Sequence, residues 1–282
     1  MGISQLAKSN NAIMVWKIAI PFLAIAVIMI LKFTPSNFTA AEGFALDGLP
    51  GVLSAIAIGG IIFSYQGFEQ AIQFGGETRN PERNIPLAVI GSIAIGAVLY
   101  IGLQIAFLGA LSPENFKDGW ANLSFAGDAG PCAGIATTLG ASWLAVLLYI
   151  DAAGTGLIYS VTSARLSYAL ARNGYIPASF GRLSQRGVPI VSIVFAFIIG
   201  CIMFLPFPGW QQLVGFIISA TVMGYAMVPL AFGALRRQES DRRRPFKLPA
   251  GGVLAPVAFV VANLVIYWTG GRSSGSFSSP SL

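Results

Sequence analysis

Two carboxylates, Glu69 and Asp151, fall deep inside long apolar stretches of the sequence. Placing a charged side chain in hydrocarbon costs several kcal/mol by some measures, so a carboxylate there is a candidate for holding a cation or carrying a proton. Thr155 follows Asp151 by four residues, which puts both side chains on one face of a helix. Lys17 is a cation inside the first apolar stretch.

Each of these groups also has a purely structural interpretation. Glu69 would lie in the first turn of a helix that restarts after Gly67, where the helix dipole favours a carboxylate. Asp151 and Thr155 would form a satisfied polar pair between helices. Lys17 lies one turn from the end of its apolar stretch, so its ammonium could reach the membrane surface. The residue types alone leave both interpretations open.

A polar stretch interrupts the second apolar segment at Ser64, Tyr65, Gln66 and Gly67, directly after Phe63. Lipid offers no partner to backbone groups that leave a helix, so such a stretch is expected only where the helix faces protein or a water-filled cavity. Interrupted helices of this kind form the binding sites of transporters. The pattern predicts a discontinuous helix near residues 64–67. A continuous helix whose small polar residues pack against its neighbours is the alternative.

The composition indicates which elements position these groups. Of 282 residues, 55% are hydrophobic and only 10% are charged, whereas a soluble domain carries about 25% charged residues. Seven apolar stretches are long enough to cross a hydrocarbon core of about 30 Å as helices. They are residues 13–33, 53–75, 86–111, 143–164, 189–205, 213–235 and 253–269. The sequence therefore predicts an all-α membrane protein with seven transmembrane helices.

The same composition excludes several functional classes. The sequence contains no histidine, and Cys132 and Cys201 are far apart, so neither a metal site nor a bound cofactor is expected. The apolar stretches leave no room for a large soluble catalytic domain, and we therefore expect no enzyme activity.

The distribution of Lys and Arg predicts the orientation. Most of the Lys and Arg residues in the short connections fall on one side, including the run within residues 236–247. The positive-inside rule makes that side cytoplasmic and also accounts for the net charge of +6 without a nucleic-acid partner. We expect a cytoplasmic segment at residues 1–12, a transmembrane domain at 13–269 in contact with membrane lipid, and a disordered Gly/Ser-rich tail at 270–282.

Three longer motifs lie at or between the spans. The first is Gly67-Phe68-Glu69 followed by Gly76-Glu77-Thr78-Arg79-Asn80-Pro81-Glu82-Arg83-Asn84-Ile85-Pro86. The second is Tyr168-Ala169-Leu170-Ala171-Arg172-Asn173-Gly174-Tyr175-Ile176-Pro177, and the third is Arg244-Pro245-Phe246-Lys247-Leu248-Pro249. In these motifs the sequence resembles the amino acid permeases of the amino acid-polyamine-organocation superfamily. The overall pattern looks most like bacterial transporters described as aspartate:proton symporters.

The resemblance extends to about Thr269, and it implies a fold of twelve helices built on two inverted five-helix repeats. The seven spans then correspond to helices five to eleven of that fold. The family's first helix, whose glycine-rich break supplies amides for the substrate carboxylate, has no counterpart in this sequence. We therefore expect the chain to be an internal fragment of a longer permease.

The resemblance also implies a function and a site. The function is secondary active transport of amino acids, coupled to protons, by a multi-pass protein of a bacterial plasma membrane. The backbone carbonyls at Ser64, Tyr65, Gln66 and Gly67 match the unwound part of helix six, which receives the ammonium group of the substrate. Lys17 matches a helix-five lysine that takes the place of a sodium ion in proton-coupled members, and Thr155 lies near the helix-eight position that this lysine approaches.

Tyr65 and Phe63 flank this predicted break, and we expect them to form aromatic walls around the substrate side chain. With Lys17, Thr155, Asp151 and Glu69 as candidates for ion coupling, they complete the predicted site.

Two alternatives differ in class. The chain could be a remnant of a truncated permease gene that transports nothing. A seven-helix receptor or photoreceptor also fits the span count, although the last span contains no lysine for a retinal Schiff base.

Overall fold

The computed structural model describes residues 3–39, 48–57, 60–73, 75–116, 130–185, 187–203, 205, 210–244 and 246–270. These residues form helices and turns, and none of them lies in a β-strand, as an all-α protein requires. The α-helices are α1 (Ile3–Leu31), α2 (Gly48–Ala57), α3 (Ile61–Ser64), α4 (Gln70–Gln73), α5 (Pro81–Ala110), α6 (Pro131–Thr138), α7 (Ser142–Arg172), α8 (Ile190–Met203), α9 (Trp210–Gln238) and α10 (Gly251–Gly270).

Four of the described helices contain apolar stretches long enough to cross a membrane. These stretches are Ile13–Leu31, Pro81–Ala110, Phe216–Gln238 and Gly251–Trp268. The other three predicted spans fall on shorter apolar segments, Gly48–Ser64, Ser142–Asp151 and Ile190–Met203. The structure therefore supports four of the seven spans, and the count of seven and the inverted repeat stay predictions.

α7 has 31 residues and contains the whole of the predicted span 143–164. The segment before the predicted break is itself divided at Gly60, whose left-handed φ of 91° precedes the start of α3 at Ile61.

The ends of the chain bear on the predicted domain limits. α1 begins at Ile3, ten residues before the predicted start of the first span, so part of the predicted cytoplasmic segment is helical. Gly270 is the last residue of α10, and the rest of the predicted disordered tail lies outside the described residues.

The first of two compact units comprises Met1–Phe44 and Ser92–Gly200. Its core is formed by small and aliphatic side chains of α1, α5, α6 and α7, including Ala24, Ala106 and Ala136, which are fully buried. Small side chains let helix backbones approach closely in a membrane, where packing and not water exclusion holds helices together. Gly109 shows how close this packing is, because a Cβ at this position would collide with the ring of Phe33.

The second unit comprises Ala45–Gly91 and Cys201–Leu282. α10 packs along α9 and α2, and α3 packs against α9. Its buried core centres on Ile218 and Val222 of α9. Residues packed against these two are Ile62, Phe63, Ala262, Val265 and Ile266.

The three sequence motifs begin or end helices. Asn80 has the left-handed φ of 47° that Asn tolerates, and Pro81 occupies the first helical position of α5, where its missing N–H costs nothing. Gly174, with a φ of 78°, follows α7, and the N–H of Tyr175 donates to the carbonyl of Leu170 to close the helix end. After α9, the Arg244 guanidinium donates to the Leu235 and Glu239 carbonyls at 3.0 and 2.6 Å.

Candidate functional site

The helical path is interrupted between Ser64 and Gln70, in the second unit. The N–H of Gln66 donates to the carbonyl of Phe63, and the N–H of Gln70 donates to that of Gly67, both at 3.1 Å. These three-residue steps replace the four-residue steps of an α-helix. The interruption is present where the sequence predicts one, and it extends to residue 69.

Gly67 is the residue that makes this path possible. Its φ of 113° lies in the left-handed region that an L side chain rarely adopts, and only glycine reaches it without strain. Its N–H donates to the Oε2 atom of Glu69 at 2.9 Å instead of continuing the helical ladder. The backbone donor freed by the interruption is thus satisfied by a carboxylate two residues away.

The same carboxylate connects the interruption to α9. The hydroxyl of Tyr225 donates to Oε2 of Glu69 at 3.0 Å, and the Tyr225 ring packs on Phe68 with 5.5 Å between ring centroids. One oxygen atom therefore accepts from the interrupted segment and from a neighbouring helix. Hydrogen bonds to a charged acceptor are about twice as strong as neutral ones, so this arrangement fixes the shape of the turn.

The predicted substrate-binding residues occupy different surroundings. Phe63 packs against the core cluster around Ile218 and Val222, so part of its ring contributes to the hydrophobic core of the second unit. The hydroxyl of Ser64 donates to the carbonyl of Gly60 at 3.0 Å, within its own helical turn. Tyr65, Gln66 and Gly67 are half-buried.

Gln66 differs from its neighbours in one respect. Its Nε2 atom is buried and has no hydrogen-bond partner among the described residues. A buried donor without a partner costs about 1–3 kcal/mol, so this amide is a point at which an acceptor would bind favourably.

A second polar centre lies in the first unit and joins α1 to α7. The ammonium of Lys17 donates to the backbone carbonyl of Asp151 at 3.0 Å and to the hydroxyl of Thr155. The carboxylate Oδ2 of Asp151 lies 3.8 Å from the same nitrogen. Three oxygens from one turn of α7 therefore surround the charge, which is the arrangement expected for a cation site.

The side chains of this centre are partly exposed to solvent. The side chains of Lys17 and Asp151 retain 23% and 19% of their full exposure. The Oδ1 atom of Asp151 is buried without a hydrogen-bond partner in the described part of the chain. The carboxylate therefore has one oxygen facing the ammonium and one that could take a proton.

The structure brings Lys17, Asp151 and Thr155 together, and it places Glu69 with the interrupted helix in the other unit. Sequence reasoning missed Tyr225, whose partner is far away in the sequence. The signal that could have found it is a phenolic hydroxyl inside an apolar helix, because such a group normally finds a hydrogen-bond partner. Within the described ranges, no cluster of Asp, Glu and Cys has the geometry of a metal site.

Comparison with known proteins places these features in a family. The sequence matches the amino acid permease family over residues 1–279. The glutamate/serine transporter AimA of Bacillus subtilis (strain 168) is 38% identical over 271 residues, which cover 94% of this chain and 50% of that protein. An aspartate-proton symporter of the same organism is 35% identical over 276 residues, which cover 96% and 52%.

More distant relatives include the branched-chain amino acid permease BcaP of Lactococcus lactis subsp. cremoris (strain MG1363). It is 26% identical over 286 residues, which cover 95% of this chain and 57% of that protein. The chain thus spans about half the length of the curated relatives that it matches. These relatives are named as transporters and not as enzymes. A match along almost the whole sequence means that this chain belongs to the amino acid permease family.

Proposed function

We propose that the chain forms part of a longer permease that carries out proton-coupled secondary active transport of amino acids across a bacterial plasma membrane. The observation that carries the proposal is the interruption between Ser64 and Gln70 in a chain of this family. Non-helical backbone at membrane depth is tolerated where it lines a cavity, and transporter folds place their substrates there.

The interrupted segment has the groups that an amino acid requires. An ammonium donates three hydrogen bonds and is well served by backbone carbonyl oxygens, which the turn around Gln66 and Gly67 presents. In this proposal the carbonyls of residues 64–67 hold the substrate ammonium. Tyr65 and the part of the Phe63 ring outside the core cluster form the aromatic wall around the side chain.

The buried amide of Gln66 favours substrates that carry a hydrogen-bond acceptor. Its Nε2 atom is a donor, so the matching group on the substrate is an oxygen acceptor. The relatives with the higher identities are named for glutamate, serine and aspartate, which all carry side-chain oxygens. We therefore favour substrates with an oxygen-bearing side chain over purely aliphatic amino acids.

Lys17 is our candidate for proton coupling. A fixed ammonium surrounded by oxygens of Asp151 and Thr155 occupies a site that would suit a metal cation, and it removes the need for one. Movement of α1 away from α7 would take these oxygens from the ammonium and so change how strongly the site holds its proton. Loss and recovery of this proton would couple the transport cycle to the proton gradient.

Glu69 has a different role in this proposal. Because one of its oxygens already accepts from Gly67 and Tyr225, we assign it to bracing the interrupted helix and leave coupling to the Lys17 centre. Asp151 stays a candidate for coupling, because its Oδ2 atom lies 3.8 Å from the Lys17 ammonium nitrogen.

The test uses the permease that contains this chain, reconstituted in liposomes. Uptake of labelled L-glutamate, L-aspartate, L-serine and L-leucine is measured under an inward proton gradient. We expect uptake of the first three and much less of L-leucine. A preference for L-leucine would overturn the substrate class, and an absence of all amino acid uptake would favour the non-transporting remnant.

The receptor alternative lacks support of this kind. The family match and the transporter names of the relatives favour transport over a seven-helix receptor.

A further inference from the structure

An open pocket of about 680 Å³ lies in the second unit, beside the end of α9. It is lined by the consecutive arginines Arg242, Arg243 and Arg244 and, from the first turns of α5, by Ile85 and Pro86. Pockets that bind small molecules have volumes of about 300–1,000 Å³, so this one is large enough for a ligand of that size. The transport proposal makes no use of it.

The arginines differ in how much of their charge is balanced by the protein itself. Arg242 donates to the Oε2 atom of Glu239 at 2.7 Å, and this hydrogen bond and charge hold the pKa of the Glu239 carboxyl below its usual range. The charge of Arg242 is therefore largely balanced. The hydrogen bonds of Arg244 go to backbone carbonyls, which carry no net charge, and its guanidinium also lowers the pKa of Glu239, so that carboxylate balances part of its charge.

Arg243 is the arginine of this pocket with the fewest contacts to other residues. Among the described residues it makes neither a hydrogen bond nor an ion pair, and its side chain is exposed. The other acidic residue of the pocket is Glu82, so three arginines face two glutamates. The lining therefore has a net charge of +1.

The depth of the pocket along the helices is informative. α5 and α9 are both long and apolar enough to cross a membrane, and the pocket lies at the first turns of α5 and the end of α9, so it lies at the ends of two candidate spans. Leu235 and Phe246, at 50% and 47% exposure, provide apolar walls inside it. A small soluble anion would use the arginines and leave these walls without a partner.

We propose that this pocket binds one anionic phospholipid. The phosphate of the headgroup contacts Arg243 and Arg244, and an acyl chain extends over Leu235 and along the exposed Leu87 of α5. Arginine recognises phosphate through several N–H donors at once, and clusters of basic residues at a membrane surface favour anionic lipids. Charge and apolar surface together select a lipid over free phosphate.

Native mass spectrometry of the purified permease that contains this chain, in detergent, tests this directly. The protein is titrated with dioleoylphosphatidylglycerol and, separately, with zwitterionic dioleoylphosphatidylcholine. We expect the anionic lipid to bind about fivefold more tightly, as one net positive charge near the surface would produce. The measurement is independent of amino acid transport, so its failure leaves the proposed function untouched.

Two matched variants locate the site. Arg243→Gln should weaken binding of the anionic lipid about fivefold, since one charge near the surface is lost. Arg237→Gln removes the same charge from the last turn of α9, outside the pocket, and should leave binding nearly unchanged. A circular dichroism spectrum of each variant confirms that the helices are intact.

A competition experiment distinguishes lipid from free phosphate. A large excess of inorganic phosphate should not displace the anionic lipid, because phosphate cannot use the apolar walls. Three results would each overturn the proposal: equal binding of the two lipids, equal loss in the two arginine variants, or displacement by inorganic phosphate.

Discussion

The hydroxyl of Tyr225 and the N–H of Gly67 donate to the same oxygen atom, Oε2 of Glu69, at 3.0 and 2.9 Å. Tyr225 belongs to α9, and Gly67 lies in the interrupted segment between α3 and α4. A single carboxylate oxygen therefore sets the position of the interruption relative to a long helix of the same unit. The shape of the proposed substrate site depends on this contact.

Tyr225→Phe removes the hydroxyl and keeps the ring that packs on Phe68. Hydrogen bonds to charged groups contribute about 1.5–3 kcal/mol, so we expect substrate affinity to fall about tenfold while the protein stays folded. Substrate binding by the permease, measured by isothermal titration calorimetry, reports this effect. Tyr267→Phe is the control, because Tyr267 on α10 is 72% exposed. Equal affinities in the two variants would contradict the bracing role of Glu69.

Gly67→Ala forces an L side chain into a φ of 113°. Strain of this kind costs of order 1–3 kcal/mol, and the segment would relieve it by changing the path of its carbonyls. We expect substrate affinity to fall at least tenfold. Gly76→Ala is the matched control, because Gly76 has no left-handed φ and a Cβ there would meet nothing within 4 Å. If both variants bind substrate equally well, the interruption does not form the binding site.

The interruption could be predicted from the sequence, because a glycine beside polar residues in an apolar stretch indicates backbone that leaves the helix. The same residues did not predict that the segment before it is divided as well, at Gly60, whose φ is 91°. The sequence predicts an interruption only near residues 64–67. Nothing in the residue types near Gly60 distinguishes a left-handed glycine from one that packs in a helix.

Contacts between residues that are far apart in the sequence could not be predicted from spacing either. The four-residue spacing of Asp151 and Thr155 predicted a shared helix face, and both contact one ammonium. That this ammonium belongs to Lys17 could not follow from spacing, because 134 residues separate it from Asp151. It came instead from the family resemblance. Neither source indicated Tyr225, whose contact depends on how α9 packs.

Lys17→Ala removes the proposed proton carrier. We expect accumulation driven by a proton gradient to be lost, whereas exchange of labelled for unlabelled substrate continues at a reduced rate, because exchange needs no net proton movement. Efflux and counterflow assays in proteoliposomes separate the two activities. Lys32→Ala is the control, since Lys32 donates to Ser112 and lies outside the Lys17 centre. Unchanged accumulation in Lys17→Ala would leave membrane anchoring as the better account of this lysine.

Asp151→Asn keeps the backbone carbonyl that Lys17 uses and removes the carboxylate charge. The ammonium would keep its hydrogen bonds to α7 and lose its counter-ion, so we expect accumulation driven by a proton gradient to fall severalfold. Uptake of labelled substrate by proteoliposomes measures this effect. Accumulation equal to that of the wild type would show that Asp151 does not act on Lys17.

Gly109→Ala tests the packing of the first unit. The added Cβ collides with the ring of Phe33, and overpacking of a tight contact costs about 1–3 kcal/mol. We expect a lower melting temperature in detergent. Gly91→Ala, in the same helix, meets nothing within 4 Å and should be neutral or slightly stabilising, because alanine favours the helix. Equal melting temperatures of the two variants would contradict this packing.

The most direct test of the central claim is accumulation of labelled L-glutamate in proteoliposomes containing the permease to which this chain belongs. An acid-outside proton gradient is imposed in the absence of sodium. We predict that the internal concentration rises above the external one and that a protonophore abolishes the rise. Accumulation that requires sodium and ignores the protonophore would contradict proton coupling, and no uptake of any amino acid would contradict the proposed function itself.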